Sequence, residues 1–452
     1  MNKLPSLIWF HNDMSPLGGA QREILTAIPA HKERWNITFV TLNAPQEVRE
    51  FFIKHNIELI TPTTPWINPK GGLNEILVKT GKTQLKAWKK LLNDVENNNL
   101  KNILNDADAI FISASGSLEV LSIIPEHIPL HAFLIEMHRG VHDDVLHRRL
   151  DGKLVRPLWL TKMMLFYHKK WDIRWHKKLW NRPNTSISSN TPTSARRLAK
   201  AHGWNVINND FLAGNYPSRD EENRSGGVGV LWHSVDSELW STNPSSSELK
   251  TWEKFEYKPN GEYLITIGRA SFMKASLDAL KIAHNSKLPL VHIGGGNTDD
   301  LKKEAVKLSA ELIVMPRISD EEIIALIRNA TALIGIARGE GFGLTPIEAI
   351  LVGTPALVVN EAGFTHTITD NENGRRLPWP TNNENMNSWK EAILTAKNED
   401  NRVKWAKNGK KRIEERWVPI FQAEAIARAM KSLGVNVETR SEIKILLGLD
   451  PA

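Results

Sequence analysis

The stretch "RGEGFGLTPIEAILVGTP", residues 338–355, decides how this chain is read. Before it, "TALIGIA" (331–337) is an apolar run of strand length, and "PIEAIL" has the composition of a helix. "RGEGFGL" is therefore the turn from a strand into a helix. Thr345, Pro346 and Glu348 carry helix-start chemistry. Their spacing predicts an N-cap threonine, a proline at the first helical position and a glutamate reaching back to the cap amide. Gly353 and Pro355 then end the helix. Glu340 has no such task. It stands between glycines, off any helix, and Gly341 and Gly343 leave the nearby amides bare. Bare amides at a helix N-terminus suit an anion such as phosphate. A carboxylate beside them makes sense if it faces hydroxyl groups, and a nucleotide diphosphate sugar carries both kinds of group.

Outward from this turn, short apolar runs alternate with helix-length segments. "LIWFH" (7–11), "ITFVTL" (37–42), "IELI" (57–60), "AIFISAS" (109–115), "LHAFLIEM" (130–137), "TSISSN" (185–190) and "GVLWHSVD" (229–236) read as strands of a first half. "YLITIG" (263–268), "LPLVHIGGG" (288–296), "ELIVM" (311–315), "TALIGIA" and "PALVV" (355–359) read as strands of a second. The polar stretch 241–260 separates them. The fold class is α/β: two facing Rossmann-like, doubly wound domains with a central cleft, where ligands meet the carboxyl ends of strands. The expected boundaries are 1–240 for the first domain, 241–416 for the second, and 417–452 for a helical segment that could pack back on the first.

The 452 residues include no cysteine, which excludes disulfides, thiolate nucleophiles and cysteine metal sites. The net charge of +7 is concentrated: residues 146–182 hold eleven Lys or Arg against Asp151 and Asp172, with four of the 16 tryptophans. The basic balance thus describes one segment rather than the whole surface. The apolar run "LIWF" near the start is too short for a signal-peptide core, and "PLWLTKMMLFY" (157–167) falls short of a membrane span. A cytoplasmic protein is expected, peripheral to the membrane if the basic segment meets lipid. "DAD" (106–108) has D-x-D spacing but leads into a strand, so no metal site is expected.

"EGFGLTPIEAILVGTP" resembles the E-x7-E element of the retaining glycosyltransferases of family 4, which have the GT-B architecture. "TIGRASFMKASLDAL" (266–280) resembles that family's G-R-x4-K segment, "VHIGGG" its next glycine-ended strand, and "PLGGAQREI" its N-terminal glycine loop. "SISSNTPTSARRLAKAHGW" and "LWHSVDSELW" resemble the approach to the domain crossover and the crossover itself. Ala275 stands where the family usually has glycine, and "HSVD" replaces its common "NGVD". The resemblance implies a metal-independent, retaining hexosyltransferase using a nucleotide diphosphate sugar, with 1–240 as the acceptor-side domain and 241–416 as the nucleotide-sugar-binding domain. By it, Glu340 contacts the donor sugar, and the backbone of Gly341, Phe342, Gly343, Leu344 and Thr345 holds sugar and phosphate oxygens. Glu348 would bind the ribose, a role compatible with capping because a carboxylate can accept from both. Arg269 and Lys274 would neutralise the departing diphosphate, Gly19 would belong to the donor loop, and His138 would lie near the reacting carbon.

The implied acceptor is a glycan or a lipid-linked molecule at the cytoplasmic membrane face. Projected as a helix, residues 164–180 place Met164, Tyr167, Trp171, Trp175 and Leu179 on one face and Lys170, Arg174, Lys177 and Lys178 on another. That face either packs on the first domain or enters an anionic membrane surface. Two rivals remain at this stage. One is a sugar-nucleotide epimerase or hydrolase on the same fold. The other is a non-enzymatic nucleic-acid-binding protein using residues 146–182, although no recognition module accompanies that segment and no nucleic acid is expected.

Overall fold

The computed structural model describes residues 3–69, 74, 76–96, 98–114, 117–204, 227–242, 247–253, 259, 261–316 and 318–440. Ser115, Arg317, parts of the 241–260 stretch (243–246, 254–258, 260) and residues 441–452 of the expected C-terminal segment lie outside them. Two compact units emerge: residues 1–143, 157–234 and 416–452, and residues 144–156 and 235–415. The division falls at 234/235 and 415/416, and it places 144–156 with the second unit rather than with the sequence around it.

In the first unit the apolar runs become β1 (Ser6–His11), β2 (Asn36–Thr41), β3 (Glu58–Ile60), β4 (Ala109–Ala114), β5 (Leu130–Leu134), β6 (Thr185–Ser189) and β7 (Val228–Val230). They form one sheet in the order β3-β2-β1-β4-β5-β6-β7, with parallel pairing. A parallel sheet needs helices on both faces, so its strands are buried on both. The period of two along β1 shows this directly: Ile8 and Phe10 enter one core cluster, Leu7 and Trp9 the other. The helix Pro419–Ser432 joins the second of these clusters through Ala425, Ile426 and Met430. It also brings the fully buried Glu424 to Arg34 (2.5 Å) and Arg428 (2.6 Å).

In the second unit β8 (Leu264–Ile267), β9 (Leu290–Ile293), β10 (Leu312–Met315), β11 (Ala332–Gly335), β12 (Ala356–Val359) and β13 (Arg375–Leu377) order as β10-β9-β8-β11-β12-β13. The chain winds outward from β8 to β10 and then returns to β11 on the other side of β8. That reversal opens a crevice beyond the carboxyl ends of β8 and β11, where doubly wound sheets bind ligands.

Two expectations need correction here. Of "GVLWHSVD" only Gly229 and Val230 belong to a strand, which begins at Val228, and "LHAFLIEM" leaves the sheet after Leu134. The helix expected over 164–180 forms as Phe166–Asn181, while Met164 ends a separate preceding helix, Leu158–Met164, joined to it at Leu165.

Candidate active site

Backbone geometry builds the crevice of the second unit before any side chain enters it. After β8 the chain passes Gly268 at φ +145°. The amide of Ala270 donates to Gly295 O (2.7 Å), and that of Asn297 donates to Ala270 O (2.8 Å). A Cβ on Gly294 would lie 2.3 Å from Gly268 O. The glycines of "VHIGGG" therefore let two strand-end loops touch backbone to backbone. Lys274 lays its stem over Gly268, whose missing Cβ would stand 3.6 Å from the lysine methylenes. The following residue, Ala275, is left-handed at φ +47°, which explains why glycine is the family's usual choice there.

At the end of β11, Lys274 Nζ donates to Glu340 Oε2 at 2.6 Å. The peptide oxygen of Glu340 accepts from Gly363 N (2.9 Å), and a Cβ on Gly363 would strike Gly341 O at 2.4 Å. Arg338 anchors the start of the turn by donating to Phe272 O (2.7 Å) and Asp278 Oδ2 (2.8 Å). Its guanidinium lies 3.9 Å over the Phe272 ring and 4.5 Å over Trp379. Glu361 accepts from Gly339 N and Trp379 Nε1, both at 2.6 Å. Phe342 is buried beneath. The turn holding Glu340 is thus clamped on both flanks, as a preorganised site requires.

The expected capping box is absent. The helix runs Leu344–Val352 with Gly343 at the N-cap, and no side chain caps it. Gly343 sits at φ +93°, where a Cβ would meet Phe364 at 2.7 Å, and the chain turns into the helix one residue before Thr345. Thr345 and Glu348 are therefore inside the helix, half-buried in its first turns. Thr345 lines a small recess with Gly268, Lys274, Glu340 and Phe364, and with Thr266 and His292 from the strands. Burial lowers the His292 imidazole to about 4, so it is neutral at ordinary pH. Arg269 is exposed, and among the described residues its guanidinium has no bonding partner.

Gly19 and His138 lie in the first unit. Gly19 opens the helix Gly19–His31, with Gly18 at the N-cap. His138 follows β5 and stands at the N-cap position of the short helix Arg139–His142, without a side-chain capping bond. Burial, opposed by Asp172 with its carboxylate 4.0 Å away, lowers His138 to about 4. In "DAD", Asp108 accepts from Ser6 N (2.7 Å) and Ser6 Oγ (3.0 Å), a structural task at the entrance of β1.

The basic segment is divided between the two units. Its residues 146–156 belong to the second unit and 157–182 to the first. Arg182 is interior, donating to Pro125 O (2.6 Å) and Ile128 O (2.7 Å), and burial lowers it to about 10. Trp175 and Leu179 are core, and Trp171 donates to Glu119 at 2.6 Å, so these side chains face the protein. Arg338, Glu361 and Gly363 escaped the reading of the sequence. Arg338 directly precedes the quoted glycines, and "NEAGF" directly follows β12, so adjacency to strand ends was the available signal.

Residues 250–412 match the family model described as glycosyl transferases group 1. Over this segment the chain is similar to that family, and its two parallel α/β units have the GT-B fold. Among curated proteins it is similar to alpha-1,3/1,6-mannosyltransferase alg-2 of Neurospora crassa: 27% identity over 125 residues, 27% of this chain and 26% of that protein. It is also similar to the phosphatidyl-myo-inositol mannosyltransferase of Mycobacterium tuberculosis, 26% identical over 27% of this chain and 34% of that one. The matched stretch thus spans about a quarter to a third of these relatives' length. The solved structure of Anabaena HepE with UDP-glucose superposes with a TM-score of 0.61 at 16% identity, over 94% of this chain and 99% of that one.

Proposed function

We propose that this chain is a retaining hexosyltransferase that moves a sugar from a nucleotide diphosphate sugar to an acceptor hydroxyl. The Lys274–Glu340 pair carries the reading, because it stands where the second sheet reverses, beside a glycine turn and a helix N-terminus. Arg269, Lys274 and the amides of 343–345 take the diphosphate oxygens, and Glu340 takes sugar hydroxyls. Glu348 takes the ribose. The bond from the sugar's C1 to the departing phosphate oxygen breaks while the acceptor oxygen bonds C1 on the same face. The acceptor's proton passes to the departing phosphate. In this step two cations supply the charge otherwise supplied by a metal, so it needs no added divalent ion. Gly19 and His138 are assigned to the reaction by the family resemblance alone.

Glu340→Ala tests this reading. The residue sits on a half-buried turn, so the variant should fold while transfer falls well over tenfold, on the scale of lost transition-state contacts. A folded variant with full activity would remove Glu340 from the site. Loss of transfer on EDTA treatment, restored by Mg2+ or Mn2+, would refute the metal-free step.

The acceptor side of the proposal is a glycan or lipid-linked molecule met at a cytoplasmic membrane face. Among the described residues no helix is long and apolar enough to cross a membrane. The buried Trp175 and Leu179 cannot be the inserting face. Trp159, Met163, Phe166 and Tyr167 are exposed instead, beside Lys162, Lys169 and Lys170, and this mixture suits an anionic interface. Binding to anionic vesicles should weaken with salt and fall when these three lysines become glutamine. Equal recovery in the soluble fraction with and without anionic vesicles at low salt would leave a soluble acceptor.

A further inference from the structure

Outside the crevice, the chain gathers an unusual set of side chains in its first unit. Asp172 is 2% exposed in the side chain, in the middle of the helix Phe166–Asn181. Its Oδ2 lies 2.7 Å from His142 Nε2 and 3.7 Å from His202 Nε2. Its Oδ1 lies 3.5 Å from His176 Nδ1. Among the described residues no Lys or Arg pairs with this carboxylate, so imidazoles are its whole cationic environment. A buried carboxylate ordinarily requires a cation or a full set of hydrogen bonds.

The histidines are equally underused. His202, also 2% exposed in its side chain, has neither ring nitrogen hydrogen-bonded, and His176 Nε2 has no hydrogen-bond partner. Ligand atoms of His142, Asp172 and His202 all lie within 4.8 Å of one another. The rings of His142 and His202 meet edge to face with centroids 5.0 Å apart, an arrangement in which two nitrogens can converge on one point. Three helices supply these residues: Arg139–His142, Phe166–Asn181 and Pro192–His202. Their packing alone brings the groups together, at sequence distances that no short metal motif would reveal.

We propose that His142, Asp172 and His202 bind one divalent transition-metal ion of the zinc type. Two imidazoles and one carboxylate match the ligand preference of such ions, with metal–ligand bonds of about 2.0–2.2 Å. The separations here need only small rotamer changes to enclose one. The ion neutralises Asp172, satisfies His202 and ties the three helices of the first unit together. Its role is structural: none of its three ligands is among the residues assigned to the transfer step.

The test uses the untagged full chain, stripped of metal and titrated with Zn2+ by calorimetry and with Co2+ by visible absorption. The wild type should bind one equivalent and give the intense d–d bands of a four-coordinate nitrogen–oxygen site. Affinity should drop at least a hundredfold in His142→Asn and in His202→Asn, and stay unchanged in His284→Asn, an exposed histidine elsewhere. Zinc should raise the unfolding temperature of the wild type and not of the first two variants. If those variants fold poorly, the wild-type stoichiometry and cobalt spectrum decide. No stoichiometric binding at tens of micromolar metal, or binding undiminished in both variants, would overturn the site and leave only an Asp172–His142 hydrogen bond. None of these readouts depends on a sugar nucleotide, so they stand or fall apart from the transferase reading.

Discussion

Glu340 and Lys274 neutralise each other at 2.6 Å, so in the proposed donor site each would limit what the other can bind. A phosphate must compete with Glu340 for the lysine, whereas a sugar hydroxyl can hydrogen-bond Glu340 without displacing it. On the proposed reading, the pair should therefore favour a conjugate over a bare diphosphate. Next to it, Ala275 is a buried alanine in the left-handed region. That conformation costs roughly 1–2 kcal/mol. Glycine there would relieve it while losing about 0.8 kcal/mol of methyl burial and about 0.5–1 kcal/mol of chain entropy. Ala275→Gly should therefore change stability by less than about 1 kcal/mol. Ala279→Gly, buried inside the helix Ser276–Asn285, should cost about 2 kcal/mol, because it loses helix propensity and methyl burial with no strain to relieve. Chemical denaturation measures both, and equal losses would refute the strain at Ala275.

At the scale of elements, the site is a set of strand ends brought to bear on one another. The loops after β8 and β9 pair backbone to backbone, and the turn after β11 rests on the loop after β12 through Gly363. A methyl group at Gly294 has nowhere to go: it meets a carbonyl oxygen at 2.3 Å, at φ +136°. Gly294→Ala should lower stability by a few kcal/mol and weaken donor binding together, measured by unfolding and by donor titration. A variant with unchanged donor affinity would show that the loop contact does not shape the crevice. The strands that position this site were legible because apolar runs of four to six residues, bounded by glycine and proline, leave little else to form. β13 was not, since Arg375 and Arg376 carry no apolar signal and pair only because β12 lies beside them. The start of the helix at Leu344 was misread for a local reason. Thr-x-x-Glu spells a capping box, but a glycine at φ +93° had already begun the helix. Glu340 stood out by its place after a strand, whereas Arg269 and Lys274 were singled out through the resemblance of their segment. The clamp made by Arg338 and Glu361 depends on tertiary neighbours that no spacing encodes.

Across the whole molecule, buried histidines govern the response to pH. His31 and His131 are fully buried and held down to about 3 by desolvation, and His292 to about 4, against an ordinary value of 6.5. Below pH 6.5 the unfolded chain takes up protons that the folded chain refuses until near those lower values. Each such group removes about 1.4 kcal/mol of stability per pH unit within its window. Glu119 works the other way. Burial pushes it up to about 7, so acidification from 7 to 4.5 favours the fold by one proton. The histidines outnumber it, and the urea midpoint should fall steadily from pH 6.5 to 4.5. A flat or rising midpoint would mean that these imidazoles are protonated in the native state.

The claim that a sugar nucleotide occupies the crevice at Lys274 and Glu340 is tested most directly by calorimetric titration. The ligands are nucleoside diphosphates and their sugar conjugates, applied to the wild type and to Glu340→Ala. The account predicts that at least one conjugate binds the wild type more tightly than its own free nucleoside diphosphate does. In Glu340→Ala that advantage should vanish, while the free diphosphate should bind at least as well, because Lys274 is released from its partner. If no conjugate outbinds its diphosphate, or if the preference survives in Glu340→Ala, the account is contradicted.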